Sequence, residues 1–209
     1  MKKLLFLLAM CALVNSSFAF DGVVSIQFKG NAKEDFKLTW HITDAKCRLD
    51  MLYTGAESTG KPTVFLPGNG ANKVIMYNSN AATAQDYKYY DATVEKVPVL
   101  DNYKVTATNE TKTIGGFMCV KYIFKSDNGK VVESWIAKDI NVDWSNYAIA
   151  FRTITELQIM AKYDVKGFPL ESTIKDASGV VSSYTLNYAK KETQAADLFL
   201  LPVGYSLNK

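Results

Sequence analysis

Residues 120–138, VKYIFKSDNGKVVESWIAK, decide the fold. Val120 to Lys125 and Val131 to Lys138 are two β-rich runs, and Asp127-Asn128-Gly129 separates them. An Asn-Gly pair in that position predicts a β-hairpin, because both turn residues tolerate positive φ.

On either side of this hairpin the same grammar of short alternating runs, broken by turn residues, fills the chain. Val24, Ile26 and Phe28 alternate with Ser25, Gln27 and Lys29. Phe36, Leu38, Trp40 and Ile42 alternate with Lys37, Thr39, His41 and Thr43. Asp44-Ala45-Lys46 then leads into Cys47, Leu49, Met51 and Tyr53, with Arg48 and Asp50 on the opposite phase. Further strands are expected at Val64–Leu66, Val74–Tyr77 and Tyr103–Thr108, and late in the chain at Leu170–Asp176 and Val180–Ala189. Pro67-Gly68-Asn69-Gly70 and Ala177-Ser178-Gly179 supply turns, and Gly115-Gly116 reads as a turn or bulge. Pro169 marks a strand start, since proline cannot donate within a ladder.

Three stretches predict helix instead. Asn80 to Thr93 has an N-cap residue, alanines and helical spacing. From Asp143 to about Thr155, Asp143 can cap, and Trp144, Tyr147, Ala148, Phe151 and Ile154 share one face. A short helix is expected after Thr193, through Ala195–Leu198. The class implied is mainly β (α+β): a curved antiparallel sheet or incomplete barrel with one or two covering amphipathic helices. Many twisted strands in one sheet force it to curl.

The start of the chain reads differently. Lys2 and Lys3 precede an apolar run, Leu4–Val14, too short to span a bilayer. Ser17-Phe18-Ala19 places small residues where signal peptidase cuts. Residues 1–19 are therefore expected to be a signal peptide, and residues 20–209 one exported domain, soluble in the periplasm or outside the cell. Lipidation at Cys11 is disfavoured, because Met10 stands where a small residue is required. No other segment is long and apolar enough to cross a membrane. Losing Lys2 and Lys3 takes the formal net charge from +3 to +1. With no like-charge run longer than two residues, nucleic acid is excluded as a partner.

Cys47 and Cys119 remain after cleavage. In an oxidising compartment they can pair as one disulfide; as small side chains on strands flanked by apolar residues, they are read in preference as buried and free. The single histidine, His41, lies on the polar phase of a strand. Metal ligation and Cys–His or Ser–His catalysis have nothing to assemble from. No cofactor, metal or enzymatic activity is expected.

Lys112-Thr113-Ile114-Gly115-Gly116-Phe117-Met118-Cys119-Val120-Lys121-Tyr122 resembles a segment of an exported bacterial family, domain-of-unknown-function family 4412. Glu133–Ile140 is similar to that family's return strand, Gly167-Phe168-Pro169-Leu170-Glu171 to its Gly-x-Pro-Leu turn, and Asp197–Tyr205 to its close. These blocks span residues 112–205; the N-terminal half matches in strand pattern only. The resemblance implies a fold similar to the periplasmic lipoprotein carriers of LolA type, an incomplete barrel that holds acyl chains against its concave face. It assigns no functional residue.

Aromatic residues make up 12% of the chain. Most belong to a core or to cross-strand pairs. A sharper reading sets Phe28, Phe36, Trp40, Phe65, Tyr122, Phe124 and Trp135 around an apolar concavity for a lipid or a lipoprotein acyl chain. The alternative is a non-catalytic envelope scaffold or protein-interaction domain with no small ligand.

Overall fold

In the computed structural model, residues 20–30, 35–54, 63–67, 73–78, 87–91, 100–147 and 151–203 are described. The expected signal peptide and the Gly68-Asn69-Gly70 turn lie outside them. Among the described residues eleven strands form one antiparallel sheet: β1 Gly22–Lys29, β2 Phe36–Ile42, β3 Cys47–Tyr53, β4 Thr63–Pro67, β5 Lys73–Asn78, β6 Tyr87–Asp91, β7 Tyr103–Ile114, β8 Phe117–Ser126, β9 Val131–Ala137, β10 Phe168–Asp176 and β11 Gly179–Lys191. Their order is β6-β5-β4-β3-β2-β1-β11-β10-β9-β8-β7. Two meanders are thus zipped together along β1 and β11, and β6 and β7 are the edges.

That order obliges the sheet to curve. Laid flat, ten spacings of 4.8 Å would put β6 and β7 about 48 Å apart. The twelve steps from Asp91 to Tyr103 reach about 40 Å at full extension. The edges must bend toward one another, giving the open, curved sheet.

Alternation assigns the faces. Val24 pairs with Trp40 and Ile26 with Leu38, all four sealed on the concave side. Ser25 pairs with Thr39 on the other side, where the Thr39 hydroxyl donates to Ser25 Oγ at 3.0 Å. The concave side is filled by side chains from the segment between β9 and β10, including those of helix α1, Thr155–Lys162. Trp40, Trp144 and Phe168 meet edge-on there, with centroids 5.2–6.4 Å apart. Each buried indole N–H finds a carbonyl: Trp40 Nε1 donates to Phe151 O and Trp144 Nε1 to Gly167 O, both at 3.0 Å.

The helix expected over Asp143–Thr155 is corrected. Asp143 does cap, accepting from Ser145 N at 3.1 Å, but it opens only a single 3-10 turn, Trp144–Asn146. The α-helix begins at Thr155, where the expected one was to end. Side-chain donors take two of the carbonyls a helical ladder would use: Phe151 O accepts from the Trp40 indole across the core, and Tyr147 O from the nearby Arg152 guanidinium. Ala148 lies outside the described residues. The expected helix at Asn80–Thr93 is corrected over Tyr87–Asp91, which is β6 and pairs with β5; the rest of it lies outside the described residues. Tyr-Lys-Tyr-Tyr suits a strand better than the helical spacing suggested. The late segment is a 3-10 turn, Ala196–Phe199.

One turn also differs from expectation, and the Gly115-Gly116 turn agrees with it. Of Asn128-Gly129 only Gly129 has positive φ, +90°. Gly129 N donates to Ser126 O and Ser126 N to Lys130 O, so a type I turn with a left-handed glycine replaces the two-residue form. Gly115 and Gly116 have φ of +56° and +86° and form the tight turn between β7 and β8. On the convex face the C-terminal segment crosses the β2–β4 region. Gln194 Oε1 lies 3.0 Å from His41 Nδ1, Arg48 Nη1 donates to Leu198 O, and Leu201 packs against Val64, Leu66 and Tyr77.

Candidate functional site

The concave face is sealed at one end and open at the other. Along β2, Ile42, Trp40 and Leu38 are buried and Phe36 is half-buried. Along β3, Cys47 and Leu49 are buried, Met51 is half-buried and Tyr53 is 45% exposed. On β1, Val24 and Ile26 are buried and Phe28 is half-buried. Cross-strand register brings these open-end residues together. Phe28 stacks on Phe36 with centroids 4.4 Å apart and 11° between planes, and Phe36 meets Tyr53 at 5.9 Å. Phe65 on β4 pairs with Leu49 and with Met76 on β5, extending the same face. The result is an apolar shelf of Phe28, Phe36, Met51, Phe65 and Met76, continuous with the core.

Of the seven aromatic residues singled out from sequence, the structure brings Phe28, Phe36 and Phe65 to this shelf. Trp40 and Phe124 are fully buried and belong to the packed interior. Tyr122 is half-buried over Phe124, with Lys138 Nζ 4.6 Å from its ring centre. Trp135 is a correction. It follows Ser134, which faces the core, so strand alternation turns it to the convex side. There its ring has Lys112 Nζ at 4.4 Å and Lys121 Nζ at 5.9 Å. Lys112 also pairs with Glu171 at 2.7 Å, directly across the strand pair from Trp135.

Ionisable side chains largely pair off on the outer face. Arg48 grips Asp50 through two bonds, at 2.6 and 3.1 Å. Burial pushes the Asp50 carboxyl up, but His41 and Arg48 outweigh it and hold it below the usual range. Lys175 does the same for Glu133, and Lys166 for Asp143. Cys47 and Cys119 are free and buried; burial pushes the first thiol far up and the second to about 11. Among the described residues no three His, Cys, Asp or Glu side chains converge as metal ligands. A shallow recess of about 430 Å³ lies between two hairpin turns, lined by Asn128, Lys130, Asp176, Ala177 and Ser178. It is open, and its lining side chains are Asn, Lys, Asp, Ala and Ser.

One group escaped the sequence reading. Glu156 of α1 is sealed in the core and accepts a hydrogen bond from the Tyr184 hydroxyl. Ser134 and Ser172 lie beside it, their hydroxyls 3.0 Å apart. Burial raises the Glu156 carboxyl to about 7, against the pull of those three hydroxyls. Its signal was present but faint: Ser134 and Ser172 occupy the apolar phase of strands that otherwise read Val132-x-Ser134-x-Ile136 and Leu170-x-Ser172-x-Ile174.

Among the described residues no helix is long and apolar enough to cross a membrane. An uncharacterised conserved protein from Thermus thermophilus is similar in structure at 12% identity, with a TM-score of 0.54, over 97% of this chain and 98% of that one. At that identity the likeness concerns the fold alone. More distant are MucB (TM-score 0.49, 11% identity, 95% of this chain, 63% of that one) and the LolA superfamily protein NE2245 from Nitrosomonas europaea (TM-score 0.34, 11% identity, 89% and 91%). No curated protein matches the chain in sequence. The family model for the domain of unknown function DUF4412 matches residues 20–205. That match covers nearly the whole chain: the protein belongs to the DUF4412 family.

Proposed function

We propose that this protein is exported, is cut after Ala19, and works in the periplasm as a non-enzymatic binding module for an acyl chain of lipid or lipoprotein. The shelf at the open end of the concave face is the observation that carries this reading. Phe28, Phe36, Met51 and Phe65 keep part of their apolar surface in water although they border a sealed core, and Met76, the register partner of Phe65, is half-buried. Covering them with a hydrocarbon chain contributes about 0.8 kcal/mol per buried CH₂, so affinity requires no charged group.

Native mass spectrometry of the protein purified from its own cell envelope tests the reading. We expect a chain beginning at Phe20 that carries lipid, and loss of that lipid in Phe36→Asp and Phe65→Asp variants that remain folded by circular dichroism. A native protein that carries nothing, and binds no lipid analogue at micromolar concentration, would overturn it in favour of a scaffold without a small ligand.

A further inference from the structure

Glu156 is the one charged residue among the described residues that is wholly buried. It faces three strands at once: Ser134 on β9, Ser172 on β10 and Tyr184 on β11. All three are neutral hydroxyls. Arg152, which precedes the helix, gives its Nη2 to Tyr147 O, and among the described residues Glu156 forms no ion pair. One carboxyl oxygen, Oε1, has no hydrogen-bond partner. A carboxylate there would sit in the core without a cation, whereas a protonated carboxyl is tolerated.

The helix that carries it is short and lacks a side-chain cap. Helix α1 has eight residues, and Ile154 at its N-cap makes no side-chain hydrogen bond. Two turns of helix are marginal without packing. Its attachment rests on Leu157, Ile159 and Met160 in the core, on Lys162, whose Nζ donates to Leu100 O and Asp101 O, and on the hydroxyl cluster around Glu156.

We propose that Glu156 is a protonation latch: neutral, it fastens α1 to β9, β10 and β11 inside the curved sheet, and on ionising it lets the helix lift away. The proton leaves to water, and the carboxylate follows into solvent with the helix. The sign comes from linkage. A carboxyl at about 7 when closed, against the ordinary 4.5 when released, holds α1 in full strength below pH 4.5 and loses hold as pH rises through 7. Above that the closing equilibrium is weaker by up to about 300-fold.

Hydrogen exchange of the ligand-free protein from pH 5 to 8.5, corrected for intrinsic amide rates, reads the latch without any lipid, so it stands or fails separately from the acyl-chain reading. Protection of residues 155–162, relative to β9 and β10, should fall by one to two orders of magnitude in the native protein and stay level in E156Q, which keeps the shape and cannot ionise. In Y184F the release should move to higher pH, because the lost hydroxyl favours the ionised form. Level protection in the native protein, or an equal fall in E156Q, would overturn the proposal. Should E156Q fail to fold, an unmoved release point in Y184F does the same.

Discussion

Trp40 and Trp135 carry the same side chain into opposite settings. Trp40 has no exposed surface, two aromatic neighbours and an indole hydrogen bond. Trp135 is half-buried under two lysines on the convex face. Both occupy alternating runs, and an alternating run does not say which phase is the core when both phases hold apolar residues. In β9 one phase is Val131, Glu133 and Trp135, and the other is Val132, Ser134 and Ile136; a serine on the inner phase and a tryptophan on the outer misled the sequence reading. Trp40→Ala should cost about 3–5 kcal/mol in urea unfolding, as large aromatic truncations in cores do. Trp135→Ala should cost about 1 kcal/mol, since a half-exposed ring over lysines contributes on that order. Equal losses for the two would contradict the assignment of faces.

At the scale of elements, every strand but β6 was legible, and the α-helix was not. The bounds of β2 and β3 follow from alternation alone, because a half-buried strand must repeat every two residues. Helical spacing at Trp144, Tyr147, Phe151 and Ile154 was real in the sequence. Yet Trp144 reaches the core from a 3-10 turn, and Tyr147 and Ile154 do so from extended backbone. The β7–β8 hairpin makes a sharper case. Its turn puts Gly115 and Gly116 at positive φ, which costs most L-residues, alanine included, about 1–2 kcal/mol. At Gly115 a Cβ would also lie 2.4 Å from Leu186 Cδ2, whereas at Gly116 it would meet nothing within 4 Å. Gly115→Ala should therefore lower the urea midpoint more than Gly116→Ala. The reverse order would mean that the hairpin tip does not rest on Leu186.

For the whole molecule, the seam between β1 and β11 governs cooperativity. Strands β1 to β6 form one meander and β7 to β11 the other, and neither has a complete core of its own: Trp40 of the first packs on Trp144 and Phe168 of the second half. Unfolding should be a single transition, with tryptophan fluorescence and far-ultraviolet circular dichroism coinciding. Two separated transitions would show that the meanders are independent units.

By itself the sequence determined the class, most of the strands, and the existence of an apolar face with aromatic residues on it, because side-chain period and turn chemistry are local properties. Only the tertiary structure decided which of those aromatics are consumed by the core and which remain at its open end. It also decided which donors the carbonyls of Tyr147 and Phe151 meet. The gathering of Glu156, Ser134, Ser172 and Tyr184 was equally out of reach. These four residues come from one helix and three strands, and their proximity depends on strand order and sheet curvature, which no local pattern encodes.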